Sequence, residues 1–210
     1  WDECAAALRD QAVKQGVKPF AIWAPDMPGA GEGPIPSDED SGGKDADGAF
    51  PYGLDRMADA YVGLLHAAGY GKAIWVGLSM GGYGALKIAL KNPDVFSGAI
   101  SLSGVLNIAK SAAEVTWDRD FTLIWGEDYK SALPGSEDDL FYLTDNIKGE
   151  KPRIFISCGD CDFMLGQNRD FHEHIKDAGF DFRYEEHPGN HNWMYWAEHI
   201  AEGLDFILGR

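Results

Sequence analysis

The sequence predicts a protein of the α/β class, built on a mostly parallel sheet with helices on both faces. Two observations lead to this prediction. Short apolar runs of strand length alternate along the chain with longer segments whose apolar residues recur at helical spacing. The 210 residues are 45% hydrophobic and 25% charged, as in ordinary globular proteins, and a chain of this length suits one domain. We therefore expect a single domain over residues 1–210.

The elements follow from local patterns. The predicted strands end close to Pro, Gly, Asn or Asp. Those at 20–24, 73–76, 96–103 and 153–157 are mostly apolar, and the last, at 182–186, is Phe-Arg-Tyr-Glu-Glu. The predicted helices have apolar residues three or four positions apart, and they cover 5–15, 54–68, 80–90, 171–178 and 193–207. Residues 105–150 show no clear periodicity and contain six aromatic residues, and we interpret them as a cap-like segment.

One segment, residues 26–49, differs from the rest of the chain in composition. It holds seven acidic residues, one lysine, six glycines and three prolines, so it cannot build a core of its own. We interpret it as an exposed acidic loop inserted into the domain. A calcium loop is the alternative, and its ligands would be Asp38, Glu39, Asp40, Asp45 and Asp47. The spacing lacks the glutamate that an EF-hand carries at its twelfth position, so we favour the exposed loop.

The charge balance of the chain is strongly acidic. A formal net charge of −16 and a pI near 4.6 argue against nucleic acid and anionic membranes as partners. No apolar run reaches the roughly 18–20 residues of a membrane span, and no signal peptide is visible. The three cysteines do not make a disulfide framework and fit a reducing compartment. We therefore expect a cytoplasmic protein, and homo-oligomer formation stays open.

The most informative stretch is the G-x-S-x-G motif of residues 77–81. An apolar strand leads into it, and a helical run of small residues leads out. This context is typical of a nucleophile elbow, in which a serine occupies a sharp strand-to-helix turn and flanking glycines avoid collisions. Ser79 would then lie at a helix N-terminus, where backbone N–H groups stabilise an oxyanion. The alternative is a glycine-rich turn with an incidental serine.

A serine nucleophile needs a base, and the base needs an acid; two further strand ends offer both. The fourth predicted strand is followed by two carboxylates, Asp160 and Asp162. Their positions after the strand do not decide which of them would be the acid. The last predicted strand is followed by a Gly- and Asn-rich loop that contains His187 and His191. We favour His191 as the base, since His187 precedes a proline and is more extended. The other four histidines fall within predicted helices, where packing or surface roles are expected.

Metal binding is the alternative for the same two loops. The pairs Cys158-x-x-Cys161 and His187-x-x-x-His191 have ligand-like spacing within each pair. The pairs are separated by 25 residues, against about 12–15 in a zinc finger. The cysteines also lie at a strand end rather than in a knuckle. We therefore predict no zinc site built from these two pairs and no redox role for the cysteine pair.

Five stretches carry a family resemblance. They are Gly-Leu-Ser-Met-Gly-Gly-Tyr-Gly-Ala at 77–85, Phe-Ser-Gly-Ala at 96–99, Leu-Ser-Gly at 102–104, Cys-Gly-x-x-Asp-Phe at 158–163 and Gly-x-His-x-Trp-x-Tyr-Trp at 189–196. Together they resemble the esterase D group of α/β-hydrolases, which includes S-formylglutathione hydrolases, tributyrin-type esterases, and acetylxylan and feruloyl esterases. The last stretch, with Trp-Gly-Glu-Asp at 125–128, is most similar to the tributyrin-type branch.

The resemblance implies an α/β-hydrolase fold and a serine carboxylesterase that needs no cofactor. Its substrate would be a small-molecule ester with a short-chain acyl or carbohydrate-linked group. It implies Ser79 as nucleophile and His191 as base. It also selects Asp162 over Asp160 as the acid, since the family's aspartate precedes an aromatic residue. The N–H of Met80 would be one oxyanion donor. The candidates for substrate contact in the cap-like segment are Trp117, Phe121 and Trp125.

The sequence departs from the family at its start. The family carries a His-Gly-containing loop that donates the second oxyanion N–H, and these residues contain no such stretch. The strand leading into that loop would lie between the strands at 20–24 and 73–78. Its absence would leave unpaired backbone groups that cost on the order of a kcal/mol each. We therefore expect an upstream segment of several strands that this sequence does not include.

Two other kinds of function stay open at this point. Within the enzyme class, the alternative is thioester hydrolysis of the S-formylglutathione type, and the same residues would also serve acyl transfer. Outside that class, the alternative is a hydrolase-fold binding protein without turnover, which only the missing oxyanion segment supports. The complete set of Ser79, Asp162 and His191 favours an enzyme.

Overall fold

Four parallel strands form a sheet in the part of the chain that the computed structural model describes, residues 54–113 and 118–209. They lie side by side in sequence order, as β1 (Ala73–Leu78), β2 (Phe96–Leu102), β3 (Arg153–Gly159) and β4 (Phe182–His187). All four confirm strands that the sequence predicts. The helix predicted at 5–15, the strand at 20–24 and the acidic loop at 26–49 lie outside the described residues.

Eight helices alternate with these strands in the described ranges. In chain order they are α1 (Leu54–Ala67), α2 (Met80–Lys91), α3 (Ile108–Ala112), α4 (Asp118–Trp125), α5 (Tyr129–Ala132), α6 (Leu140–Asn146), α7 (Leu165–Ile175) and α8 (Trp193–Leu208). The helical periodicity predicts that α7 extends to Ala178, but the helix ends at Ile175. The chain turns there towards Gly179, whose φ of +74° ends the helical run.

The sheet has helices on both faces, as the sequence predicts. Successive residues of a strand point to opposite faces of the sheet. Ile154 and Ile156 of β3 belong to the core cluster that contains Leu86 of α2, whereas Phe155 between them faces Gly203 of α8. A Cβ atom at Gly203 would lie 2.8 Å from Phe155 Cδ1, so this glycine lets α8 approach the sheet closely.

The register of the sheet brings three strand ends to one edge. Leu102 pairs with Leu78 of β1 and with Ser157 of β3, and Gly159 pairs with His187 of β4. The strands are parallel, so the residues that follow β1, β3 and β4 in the sequence lie at the same, carboxyl-terminal edge. In open α/β sheets this edge is where ligands bind.

Residues 105–150 contain the four shortest helices of the described chain. The helices α3, α4, α5 and α6 have 5, 8, 4 and 7 residues. Runs this short show little helical repeat in a sequence, which explains why no periodicity predicts them. Ile108, Tyr129 and Leu140 are buried, so these helices pack into the core. A cap over the site stays a prediction.

The described residues from Leu54 onward form one compact unit. None of the helices in these ranges is long and apolar enough to cross a membrane. The single domain over residues 1–210, the cytoplasmic location and homo-oligomer formation stay predictions.

Candidate active site

Ser79 occupies the turn between β1 and α2. Its φ of 54° and ψ of −125° lie in a region that L-residues rarely adopt. Two backbone hydrogen bonds hold it there, since its N–H donates to the carbonyl oxygen of Leu102 at 2.9 Å and its own carbonyl accepts from Gly82 N–H at 2.9 Å. The serine is therefore fixed in a strained backbone conformation at the start of a helix, as a nucleophile elbow requires.

The glycines around Ser79 are explained by close backbone approach. A Cβ atom at Gly77 would lie 1.8 Å from the carbonyl oxygen of Gly81. A Cβ atom at Gly82 would lie 2.4 Å from Ser101 Oγ. No side chain fits at either position, because the first turn of α2 folds directly back onto the strands.

We expect Gly77→Ala to destabilise the protein by about 3 kcal/mol or more, because the added methyl group meets backbone that cannot rotate away. Gly81→Ala is the matched control within the same motif. A Cβ atom at Gly81 meets nothing within 4 Å, and alanine in a helix is favoured over glycine by about 1 kcal/mol. Urea unfolding of both variants measures the difference. Equal stabilities would contradict this geometry of the turn.

The structure brings Ser79, His191 and Asp162 together in one hydrogen-bonded chain. His191 Nε2 lies 2.9 Å from Ser79 Oγ, and His191 Nδ1 lies 3.0 Å from both carboxylate oxygens of Asp162. The Asp162 side chain is fully buried, while that of His191 is 16% exposed. Asp162 Oδ1 also accepts a hydrogen bond from Met164 N–H at 2.8 Å. A buried carboxylate thus orients an imidazole that reaches the serine hydroxyl.

The loops after β3 and β4 are joined to each other by their backbones. Asp160 N–H donates to the carbonyl of His187, and Cys161 N–H donates to the carbonyl of Gly189, each at 2.9 Å. Gly189 N–H in turn donates to Asp160 Oδ1 at 3.1 Å. This last bond lowers the pKa of the Asp160 carboxyl below its ordinary value. Asp160 therefore supports the loop, and the carboxylate that contacts the imidazole is Asp162.

Two aromatic residues contact the imidazole of His191, and one of them is held by a hydrogen bond to Ser103. The ring of Phe163 lies 4.5 Å from the imidazole, and the indole of Trp196 meets it edge-on at 5.1 Å and 86°. Trp196 Nε1–H donates to the buried Ser103 Oγ at 3.0 Å. The motifs quoted above contain Phe163 and Trp196, but sequence reasoning assigned neither of them a role.

The other predicted site residues lie in different surroundings. Met80 is the first residue of α2 and directly follows Ser79. Phe121 is 2% exposed, and its ring packs edge-on against Trp125 at 5.0 Å and Tyr129 at 5.6 Å. Trp117 lies outside the described residues. The oxyanion role of Met80 and the substrate contacts of these three aromatic residues stay predictions.

The thiols of Cys158 and Cys161 are not members of the hydrogen-bonded chain of Ser79, His191 and Asp162. Cys158 is buried, and burial is the main cause that raises the pKa of its thiol to about 12. Cys161 is exposed. The described part of the chain contains one group of side chains spaced to hold a metal ion, and neither cysteine belongs to it.

The fold and the site together define an α/β-hydrolase: a parallel sheet carries a serine at a strand-to-helix elbow, and a histidine and a buried aspartate follow later strands. A comparison with family models is consistent with this class. The family described as "Putative esterase" matches residues 65–207. The chain belongs to this esterase family, and the resemblance to esterases of the α/β-hydrolase class is confirmed.

Individual relatives agree with the family match. An acetyl esterase of Caldicellulosiruptor saccharolyticus is 37% identical over 141 residues, covering 62% of this chain and 52% of the relative. The fluorophosphonate-binding serine hydrolase FphF of Staphylococcus aureus superimposes with a TM-score of 0.63 at 28% identity, over 76% of this chain and 64% of that one. The S-formylglutathione hydrolase FrmB of Staphylococcus aureus has a TM-score of 0.61 at 27% identity, over 82% and 69%. The chain spans about half the length of the curated acetyl esterase.

Proposed function

We propose that this protein is a serine carboxylesterase that hydrolyses esters of short acyl groups through Ser79, His191 and Asp162. One observation carries the proposal, namely the continuous hydrogen-bonded chain from Asp162 through His191 to Ser79 Oγ. The strained backbone at Ser79 supports the proposal independently, because strained conformations of non-glycine residues cluster at active sites.

The mechanism follows from the order of these contacts. Ser79 Oγ attacks the ester carbonyl carbon while His191 Nε2 takes the hydroxyl proton, and Asp162 stabilises the imidazolium that forms. The tetrahedral intermediate collapses when its C–O bond to the alcohol breaks, and His191 returns the proton to the departing alkoxide. Water then attacks the acyl-enzyme by the same route, with His191 as base, and releases the acid and free Ser79.

The negative charge of the intermediate needs hydrogen-bond donors. The N–H of Met80 is our candidate, since it follows the nucleophile and lies at the N-terminus of α2. A second donor would complete the oxyanion site. Removing one such donor costs about 10²–10³ in kcat in other hydrolases.

The substrate class is proposed from two observations. The curated relative at 37% identity is named an acetyl esterase, which favours small acyl groups. Phe163 and Trp193 are 68% and 58% exposed. Phe163 touches the ring of His191, and Trp193 packs on Trp196, which also contacts that ring. Exposed aromatic faces beside the group that protonates the leaving alcohol suit a carbohydrate-linked alcohol, whose ring can stack on them.

A second candidate function is hydrolysis of S-formylglutathione-type thioesters. It is favoured by the similarity to FrmB at 27% identity. The same three residues would perform the reaction, with a thiolate in place of the alkoxide as leaving group. A binding protein without turnover is disfavoured by the intact hydrogen-bonded chain at Ser79.

The test measures the turnover of p-nitrophenyl acetate and of S-formylglutathione by the purified protein. The protein is then reacted with a fluorophosphonate, and peptide mass analysis locates the adduct. We expect turnover of the oxygen ester and one adduct, on the peptide that contains Ser79. Faster turnover of the thioester supports the second candidate. Transfer of the acyl group to an added alcohol, in place of water, would identify an acyltransferase. No turnover and no adduct would overturn the proposal.

A further inference from the structure

A second cluster of polar side chains lies on α8 and at the end of β4, outside the hydrogen-bonded chain of the candidate active site. His199 and Glu202 are three residues apart on α8 and share one face of that helix. His187 is the last residue of β4. His187 Nε2 lies 3.1 Å from Glu202 Oε2, and His199 Nδ1 lies 3.2 Å from Glu202 Oε1. The two imidazole rings stack at 4.0 Å with an interplanar angle of 5°.

The spacing of these atoms fits a metal ion. One nitrogen from each histidine and one oxygen from Glu202 all lie within 4.8 Å of one another. Ligand atoms about 2.0–2.2 Å from a tetrahedral zinc ion lie about 3.3–3.6 Å apart. Both imidazoles already contact the carboxylate, His187 Nε2 through Oε2 at 3.1 Å and His199 Nδ1 through Oε1 at 3.2 Å. Rotation of the Glu202 carboxylate and tilting of the two stacked rings would bring one oxygen and both nitrogens to bonding distance of one ion.

The burial of the cluster also fits a metal centre. The side chain of His199 is 8% exposed, whereas those of His187 and Glu202 are 28% and 36% exposed. The cluster is thus closed on one side and open to solvent on the other. An ion can enter from the open side, and water can complete a fourth coordination position there.

We infer that His187, His199 and Glu202 bind a divalent transition-metal ion of the zinc type, through His187 Nε2, His199 Nδ1 and one carboxylate oxygen. Two imidazoles and one carboxylate form a donor set that suits zinc, cobalt and nickel, and neutral imidazole and ionised carboxylate are the forms that bind. The imidazole lone pairs lie in the ring planes, so the two stacked rings tilt away from their parallel arrangement when they bind one ion.

The position of the site gives the ion a structural role. It joins the end of β4 to α8, and the carbonyl of His187 accepts the N–H of Asp160 from the neighbouring loop. His191 belongs to the loop that runs from His187 to α8. An ion bound here closes that loop at its two ends. Zinc should therefore raise the unfolding temperature by roughly 5–10 °C at one hundred times its dissociation constant.

The experiment measures zinc content and cobalt spectra on the full chain, and its readout does not depend on the proposed esterase activity. After removal of metals and dialysis against ZnCl₂, we expect one zinc ion per chain. With CoCl₂ we expect a visible spectrum of nitrogen and oxygen ligation, without the intense thiolate band that Cys158 or Cys161 would give. A thiolate band in place of this spectrum would overturn the inference, because it would move the ion to the cysteine pair.

The variants His187→Asn and Glu202→Gln test the ligands, since both side chains are partly exposed and the replacements keep much of their shape. We expect each to weaken zinc binding by at least about 100-fold. His66→Asn, on the exposed end of α1, and His191→Asn are the controls, and both should keep the ion. Circular dichroism checks that each variant is folded. Unchanged zinc affinity in folded His187→Asn and Glu202→Gln, or no zinc in the unmodified protein, would overturn the inference.

Discussion

Ser79→Ala lowers kcat for p-nitrophenyl acetate by about 10⁶, the largest effect that we expect of any substitution in this protein. The hydroxyl is the group that bonds to the acyl carbon, and alanine leaves no other atom at the elbow to take its place. A loss of this size corresponds to about 8 kcal/mol of transition-state stabilisation. The KM should change little, because the small hydroxyl contributes little to binding of the ground state.

Ser97→Ala is the control for this substitution. Ser97 lies exposed on β2, and its hydroxyl donates only to the carbonyl of Ala73, at 3.3 Å. We expect its kcat and its unfolding midpoint to match those of the unmodified protein. Comparable kcat values for Ser79→Ala and Ser97→Ala would remove Ser79 from the mechanism. Measuring urea unfolding of both variants separates lost chemistry from lost folding.

Asp162→Asn has the second largest expected effect, a loss of about 10⁴ in kcat. The carboxylate accepts from Nδ1 of His191, which leaves Nε2 free to accept the proton of Ser79. An asparagine amide can donate to Nδ1 and so favours the tautomer that carries its proton on Nε2, which cannot act as a base. The imidazolium of the transition state also loses its counter-charge.

Asp160→Asn is the matched control, two residues earlier in the same loop. The Asp160 carboxylate is exposed and accepts a hydrogen bond from the N–H of Gly189, at 3.1 Å. An asparagine side-chain oxygen can accept the same bond, so we expect kcat close to that of the unmodified protein. Steady-state kinetics of the pair decides which aspartate serves His191. A larger loss in Asp160→Asn than in Asp162→Asn would exchange their roles.

The sheet and the placement of the site follow from local patterns in the sequence. The sequence predicts all four strands of the described sheet. β2 and β3 are mostly apolar because they are buried along most of their length, whereas β4 is only partly buried and mixes aromatic and charged residues. The G-x-S-x-G motif and the Gly- and Asn-rich loop then place Ser79 and His191 after their strands. Parallel strands end at the same edge, so the sequence brings these two residues together although they are 112 positions apart.

The choice between Asp160 and Asp162 does not follow from the residues themselves. Both occupy one turn, and the sequence separates them only through the family resemblance. In the structure the difference arises from a tertiary contact. The N–H of Gly189, in the other loop, donates to Asp160, whereas Asp162 contacts His191. Contacts between two loops depend on how far each strand extends at the carboxyl-terminal edge of the sheet. No local sequence pattern predicts this.

The cluster of His187, His199 and Glu202 shows the same limit. The helical spacing predicts that His199 and Glu202 share a face. That this face meets the end of β4, at His187, depends on how α8 packs across the sheet. The close approach at Gly203 sets this packing, and Gly203 is an ordinary helical glycine in the sequence. The bond from Trp196 to Ser103 spans 93 positions and was missed for the same reason.

The order of the strands has a consequence for how the protein folds. The nucleophile follows the first strand of the described sheet and the base follows the last, so their hydrogen bond closes a chain segment of 112 residues. Loop closure over such a distance is slow compared with helix formation. During synthesis, Ser79 emerges from the ribosome long before its base does. We therefore expect the nascent chain to form the turn at Ser79 before its base is present. Activity should appear only when β4 and α8 have packed onto the sheet.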